Sequence, residues 1–272
     1  MSISTAAGIG SRGRSELAAV LGSGRRFVRP ADVASKLGVD SQAAAKKLAR
    51  WANEGWLRRA RRGLYIPVPV DATDPASWSE DALVVATAVW SPCYFTGWTA
   101  ANYWSLTEQL FRITVLKTTE RVRASAVVLL DHEYRVRHTS DAAMTWGLKT
   151  EWQREIRLKF ADPARTVIDI LDEPGLGGGI RHGAEILAAY LDDQDPALLI
   201  ECGDRLGNRA VFKRLGYLLE TLERAEPSLV SACRSRLSEG ISPLDPDGPA
   251  NGTRIMRWRL RVNAQVRPEA PA

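Results

Sequence analysis

The alternation of apolar and polar residues predicts a group of short helices near the amino end of the chain. Helices are predicted over residues 14–21, 30–37 and 41–54. Pro30 suits the first turn of the second helix, and Gly38 can adopt the left-handed conformation that ends it. Asp40 or Ser41 can cap the third helix after a tight turn. The pattern is typical of a helix-turn-helix.

The third helix has two chemically different faces. On a helical wheel the apolar face holds Ala44, Ala45, Leu48, Trp51 and Ala52, which we expect in the core. The opposite face holds Gln42, Ala43, Lys46, Arg50 and Asn53, with Lys47 at its flank. Such a face is often only solvated, but its donors and cations are also those that meet phosphates and base edges. We therefore predict that this is a recognition helix.

A basic hairpin is predicted directly after this helix. Gly55 ends the helix, Trp56–Arg59 and Leu64–Ile66 read as strands, and the turn between them is Arg61-Arg62-Gly63. The order of elements is that of a winged helix-turn-helix. The predicted DNA-binding residues are Ser41, Gln42, Lys46, Lys47, Arg50, Asn53, Arg58, Arg59, Arg61 and Arg62. Of these, Gln42, Lys46 and Arg50 are expected to contact bases, and the four hairpin arginines phosphates or a minor groove.

The distribution of charge agrees with this prediction. Residues 1–70 hold 13 Lys and Arg against 4 Asp and Glu, a net charge of +9. Because the whole chain carries +5, the other 202 residues carry −4. A basic region beside an acidic remainder suits a polyanionic partner.

The remainder of the chain reads as a second, mixed domain. A helix is predicted over residues 80–89, short strands over 113–116, 126–130, 134–139 and 155–160, further helices over 165–172, 180–192, 196–205, 209–225 and 228–238, and a last strand over 254–262. The predicted fold class is α+β, with a winged helix followed by a larger mixed α/β domain that has a small sheet and a helical cluster. The predicted boundaries are 12–70 for the first domain, 71–77 for a linker, 78–265 for the second domain and 266–272 for a tail.

Composition limits the function classes. With 272 residues, 45% of them apolar, and no apolar run long enough to cross a membrane, we expect a cytoplasmic globular protein without a membrane partner. The amino terminus lacks the apolar core of a signal peptide. Three widely spaced cysteines support neither a disulfide framework nor a zinc site.

Candidate catalytic chemistry is sparse. The glycine cluster at 175–179 lacks the Gly-Lys-Ser/Thr of a phosphate-binding loop, and a solvated turn is the favoured interpretation of Asp245-Pro246-Asp247. The histidines, His132, His138 and His182, are too scattered to predict a metal site. No catalytic residue, cofactor or metal is predicted.

Several motifs resemble the AbiEi-type antitoxins, which are the transcriptional regulators of type IV toxin-antitoxin systems. The resemblance lies in Gly55-Trp56-Leu57 and the run Arg62–Pro67, which is similar to the family's wing. In the second half it lies in three segments: Phe95–Leu106, Ala161–Thr166 and Arg214–Glu220. It spans most of residues 25–262.

The resemblance implies a non-enzymatic protein that represses its own operon by binding inverted repeats in double-stranded DNA. It also implies that the protein counteracts a cognate nucleotidyltransferase toxin without forming a stable complex with it. Two half-sites would require two copies of the module, so cooperative assembly on DNA is expected. Two alternatives stay open at this point: a DNA-targeted nuclease or nucleotidyl-processing enzyme, and a metabolite-sensing winged-helix repressor.

Overall fold

The computed structural model describes residues 9–22, 24–72, 74, 78–153 and 155–266. The helices are α1 (Ser11–Leu21), α2 (Pro30–Leu37), α3 (Ser41–Asn53), α4 (Ala82–Trp90), α5 (Gly97–Tyr103), α6 (Pro163–Asp172), α7 (Ile180–Asp193), α8 (Ala197–Leu206), α9 (Ala210–Thr221) and α10 (Pro227–Arg234). The strands are β1 (Leu57–Arg61), β2 (Leu64–Pro67), β3 (Cys93–Phe95), β4 (Ile113–Thr118), β5 (Ala126–Leu129), β6 (His132–His138), β7 (Leu148–Gln153), β8 (Ile156–Ala161), β9 (Ser242–Pro243), β10 (Thr253–Ile255) and β11 (Leu260–Val262).

The chain divides into two compact units. The first contains the residues up to 91 together with 126–134, and the second contains 92–125 together with the residues from 135 onward. The fold is mixed α+β, as the sequence predicts. The predicted domain boundaries stay a prediction, and much of the predicted linker and tail, namely residues 73, 75–77 and 267–272, lies outside the described residues.

The core of the first unit is built on α3. Leu48 is fully buried and Trp51 is 2% exposed, and both pack with Val28, Val33 and Leu57. The core also contains Ala44 from the same face of the helix. Ala45, in contrast, is exposed, so its predicted place in the core is wrong. The buried stripe of α3 is therefore narrower than the helical wheel predicts: Ala44, Leu48 and Trp51 are buried, and Ala52 is only partly buried against them.

Local signals fix the two ends of the turn between α2 and α3. Gly38 adopts the left-handed conformation, with φ of 63°, and ends α2. Asp40 caps α3 by accepting a hydrogen bond of 2.8 Å from the backbone N–H of Ala43. Gly38 was predicted from the sequence to end α2, and Asp40 was one of two residues, with Ser41, predicted to cap α3.

A two-stranded antiparallel hairpin follows α3. β1 pairs with β2 from Leu57 opposite Pro67 to Arg61 opposite Leu64, with a register shift between Arg59 and Arg61. Gly63 has a φ of +76° in the turn, a backbone conformation that other residues rarely adopt. The turn therefore presents Arg61 and Arg62 at the tip.

The second unit contributes to a six-stranded sheet with the order β5-β6-β4-β3-β8-β7. β3 runs antiparallel to β4 and parallel to β8, and β8 forms an antiparallel hairpin with β7. β3 and β7 were not predicted from the sequence. β3 is only three residues long, and β7 (Leu-Lys-Thr-Glu-Trp-Gln) has only two apolar residues, Leu148 and Trp152.

The carboxy-terminal segment forms two strands where one was predicted. β10 and β11 pair antiparallel, and residues 256–259 turn between them, with Arg259 at φ of +50°. The turn allows Trp258 to be fully buried against Gly216, where a Cβ atom would collide with the indole ring. The Nε1–H of Trp258 donates to Glu220 at 2.8 Å. Apolar and basic residues alternate over much of Arg254–Arg261, which predicts one continuous strand and gives no sign of this turn.

A buried polar network joins α6 to the sheet of the second unit. Arg165 is fully buried and donates to the hydroxyl of Tyr94 at 2.7 Å, to the Ala143 carbonyl at 2.7 Å and to the Trp146 carbonyl. Asp169, one turn later, is also fully buried. It accepts from Thr96 at 2.6 Å and from Lys117 at 3.3 Å, so its charge is compensated inside the protein.

Lys117 is a buried cation in this network. Burial opposes its protonation, yet the nearby Asp169 and Tyr94 raise the pKa of Lys117 above its usual value. It also pairs with Glu173 at 3.3 Å. The ammonium therefore stays charged, and the network is a fixed structural element of this unit.

Replacing Leu48 with Ala tests the role of α3 as the centre of the first unit. Leu48→Ala leaves a cavity beside Trp51, so we expect the unfolding free energy to fall by about 2 to 5 kcal/mol, measured by urea denaturation. Ala49→Ser, one residue further at an exposed position, is the control and should change the unfolding free energy by less than about 0.5 kcal/mol. Equal stability of both variants would contradict this description of the core.

Candidate nucleic-acid interface

The outward face of α3 presents a continuous row of small, polar and basic side chains. Because Leu48 and Trp51 are buried, the residues on the opposite side of the helix are exposed. They are Gln42, Ala45, Lys46, Ala49, Arg50 and Asn53. The amide and guanidinium groups supply hydrogen-bond donors of the kind that contact base edges in a major groove. The small side chains between them allow the helix to come close to the bases. Ser41, at the start of the helix, is exposed as well.

Arg50 is held in place by an acid on the same helix. Its Nε donates to Glu54 at 2.8 Å, one turn further along, while 71% of the arginine side chain stays exposed. The hydrogen bond to Glu54 raises the pKa of Arg50 above its usual value. Because this bond uses Nε, both terminal nitrogens lie outside it and have the fork geometry that guanine recognition uses.

Lys47 has a structural partner. Its ammonium lies 2.6 Å from Glu16 on α1, and both side chains are partly buried. This hydrogen bond lowers the pKa of Glu16, so the pair stabilises the packing of α1 on α3 at neutral pH and loses that contribution as the pH falls through the lowered pKa. A phosphate would have to compete with Glu16 for Lys47.

Arg58 is also engaged inside the first unit. Its side chain is 18% exposed and donates to the Trp78 carbonyl at 2.6 Å and to Asp131 at 3.0 Å. These contacts tie β1 to two other segments of the same unit. Arg58 is therefore the least accessible of the four hairpin arginines, and the least available for the predicted phosphate contact.

The other hairpin arginines lie at the surface. Arg59, Arg61 and Arg62 are exposed, with Arg61 and Arg62 at the tip beside Gly63. A hairpin tip with adjacent guanidinium groups is able to bind phosphate or to enter a minor groove. The structure therefore offers two exposed basic elements in one unit, the face of α3 and this tip.

The glycine cluster at 175–179 precedes α7, and the first turn of α7 is capped by a side chain from elsewhere in the same unit. The backbone N–H of Ile180, the first residue of α7, donates to the carboxylate of Asp245 at 3.2 Å. The other oxygen of Asp245 accepts from the N–H of Asp247 at 3.0 Å. The two acids thus form a capped turn, in agreement with the solvated-turn interpretation.

The three histidines have separate environments. His182 bridges the Gly177 carbonyl at 2.6 Å and the Thr107 hydroxyl at 2.9 Å. His138 lies 3.3 Å from the Glu120 carbonyl, and burial lowers the pKa of His132. Within the described residues, no three His, Cys, Asp or Glu side chains lie close enough to hold a metal ion. In the same residues no helix has the length and apolarity of a membrane span.

Residues 15–68 match the family described as "Transcriptional regulator, AbiEi antitoxin". The resemblance inferred from the wing motif is therefore confirmed over residues 15–68, which contain most of α1, all of α2 and α3, and the hairpin of β1 and β2. The match supports a DNA-binding regulatory role for this segment.

The fold of the chain also occurs in a solved structure. The crystal structure of the RV2827C protein from Mycobacterium tuberculosis is similar to this chain, with a TM-score of 0.63 and 16% sequence identity. The similarity covers 94% of this chain and 93% of that chain. At this identity it shows a shared fold alone. No curated protein matches the chain.

Two members of the exposed row on α3 were not predicted from the sequence. Ala45 was assigned to the core, and Ala49 was assigned to neither face. Small side chains at these positions allow the helix backbone to approach a groove and can contact a thymine methyl group. Alanine carries no polar signal, so only the packing of Leu48 and Trp51 reveals which alanines face outward.

Two adjacent lysines provide a matched test of this interface. Lys46 is exposed, whereas Lys47 is paired with Glu16. Lys46→Ala should weaken DNA binding and reduce the salt slope of the binding constant by about 1, while Lys47→Ala should leave the slope nearly unchanged. Titrations of labelled DNA at several salt concentrations measure both. A larger loss of slope for Lys47→Ala would mean that the helix is oriented differently on DNA.

Proposed function

We propose that this protein is a DNA-binding repressor that acts on its own operon in the cytoplasm through a winged helix-turn-helix. The observation that carries the proposal is the exposed row on α3, with Gln42, Lys46 and Arg50, in the same unit as the Arg61-Arg62 tip. The net charge of +9 over residues 1–70 supports a polyanionic partner. The family match over residues 15–68 adds a regulatory role.

The exposed side chains divide into two roles in this proposal. Gln42 and Arg50 read base edges, because an amide and a guanidinium form bidentate hydrogen bonds with adenine and guanine. Lys46 and Asn53 lie on the same row and contact bases or the adjoining backbone. Arg59, Arg61 and Arg62 hold phosphates or enter the minor groove. Operator sites are inverted repeats, so two copies of the chain bind cooperatively.

The proposed role of the whole chain is that of a type IV antitoxin. It counteracts a nucleotidyltransferase toxin encoded beside it, does so without a stable complex, and is not itself an enzyme. The support is the family description of the first unit and the motif resemblance in the second. In the second unit the residues that carry this resemblance include Arg165, Thr166 and Arg214, all of which are buried.

The buried motif residues have structural partners. Arg214 donates to the carbonyl of Leu171 at 2.7 Å and of Leu244 at 3.1 Å, which ties α9 to the end of α6 and to the segment after β9. Thr166 donates to the carbonyl of Ala161 at 3.1 Å. These residues maintain the second unit, and the surface that they support would carry the antitoxin activity.

A reporter and a toxicity assay separate the two proposed activities. Arg62→Ala and Arg50→Ala should relieve repression of a reporter driven by the protein's own promoter, because each removes an exposed DNA contact. Both variants should still protect cells that express the neighbouring toxin gene, since the second unit is unchanged. If a variant lost both repression and protection, the two activities would not be separate. If both variants still repressed the reporter fully, the proposed DNA interface would be wrong.

Base reading is tested separately. If Gln42 reads a base, selection of bound sequences from a randomised operator should lose its preference at one position in Gln42→Ala, at a cost of about 1 to 3 kcal/mol for the original base. Ser41→Ala, at the neighbouring exposed position, serves as the comparison. An unchanged preference at every position in Gln42→Ala would remove Gln42 from base recognition.

A further inference from the structure

The free edge of the second unit's sheet is β7. It is the last strand in the order β5-β6-β4-β3-β8-β7, and among the described strands it pairs with β8 alone. Trp152 on this strand is 64% exposed, and Lys149 and Thr150 are exposed as well. A six-residue edge strand with an exposed tryptophan is a template for pairing with another strand.

The pairing with β8 determines which backbone groups point away from the sheet. Leu148 lies opposite Ala161, and the register continues to Gly147, whose carbonyl accepts a hydrogen bond of 2.9 Å from the N–H of Asp162. In an antiparallel ladder, hydrogen-bonded residues alternate with residues that point to the other side. The N–H and C=O groups of Leu148, Thr150 and Trp152 therefore face the open edge.

We propose that β7 pairs antiparallel with β7 of a second copy of this chain, around a two-fold axis at Thr150. A two-fold axis places Thr150 opposite itself and Leu148 opposite Trp152, so every outward-facing backbone group of these three residues gains a partner. The same register places Lys149 opposite Glu151 on both sides of the axis. The interface thus joins two sheets edge to edge.

Charge selects this register over its neighbours. A shift of the axis to Lys149 would place two lysines opposite each other, and a shift to Glu151 would place two glutamates opposite each other. Like charges directly opposite are destabilising, whereas opposite charges and an aromatic paired with an aliphatic residue are favourable. Of the three registers compared, only the one with its axis at Thr150 places opposite charges across from each other.

Self-pairing is also consistent with an edge strand that disfavours pairing with strands of other proteins. Edge strands commonly use a lysine to repel foreign strands. Lys149 would do so here, while a second copy supplies Glu151 at the matching position. The second copy brings a second amino-terminal unit into the assembly. The proposal rests on β7 alone and does not depend on the DNA-binding proposal.

Charge reversal tests the register. We expect the wild-type chain to dimerise in a concentration-dependent way in sedimentation velocity without DNA. K149E and E151K should each weaken the dimer by about tenfold or more, because each places like charges opposite each other twice. An equimolar mixture of K149E and E151K should recover dimerisation, since the heterodimer has opposite charges at both positions.

A cysteine at the axis tests the geometry independently. Thr150→Cys places two thiols at hydrogen-bonded positions with Cα atoms about 5.5 Å apart, within disulfide range. Leu148→Cys is the matched control, because its two copies would lie about 13 Å apart along the strands. The native cysteines, Cys93, Cys202 and Cys233, are buried. Under mild oxidation we expect rapid cross-linking for Thr150→Cys and little for Leu148→Cys.

Three results would overturn the proposal. They are a wild-type chain that stays monomeric at all concentrations, a mixture of K149E and E151K that does not recover dimerisation, and a Thr150→Cys variant that cross-links no faster than Leu148→Cys. None of these outcomes bears on operator binding. Recovery in the mixture also excludes misfolding of the single variants as the cause of their weaker dimerisation.

Discussion

The burial of Leu48 and Trp51 determines which side of α3 faces away from the protein. Both side chains lie in the core of the first unit with Val33 and Leu57, so the helix cannot rotate without exposing them. The opposite side therefore has to carry Gln42, Lys46 and Arg50. Because the buried face of α3 is packed in one arrangement, the exposed face presents its hydrogen-bond donors in fixed positions. Every role proposed for the residues of α3 depends on this orientation.

Polar groups have a different task in the second unit. Arg165 and Asp169 are fully buried, and both have hydrogen-bond partners on neighbouring elements. Such groups are costly when unpaired, so the network holds α6 against the sheet in one arrangement. Asp162 begins the same motif by capping α6, with a 2.8 Å bond from the N–H of Arg165. The motif that resembles the antitoxin family in this half is therefore explained by structure rather than by a reaction.

Much of the fold was predictable because its signals are local. Pro30, Gly38 and Asp40 mark helix ends, and Gly63 marks the hairpin turn. The exposed residues of α3 were mostly predicted as well, since charge and periodicity agree there. What could not be predicted depends on distant contacts: the ion pair of Lys47 with Glu16, the bonds of Arg58 to Trp78 and Asp131, and the outward direction of Ala45. The edge strand β7 belongs to this group, because only its pairing with β8 identifies it.

The central claim is that the chain recognises a DNA sequence near its own gene. The most direct measurement is a mobility-shift titration of the purified chain on DNA from upstream of that gene, beside unrelated DNA of equal length, at two salt concentrations. We predict clearly tighter binding to the upstream DNA and a steep loss of affinity with salt, as expected for several phosphate contacts. Equal and weak binding to both DNAs would contradict it.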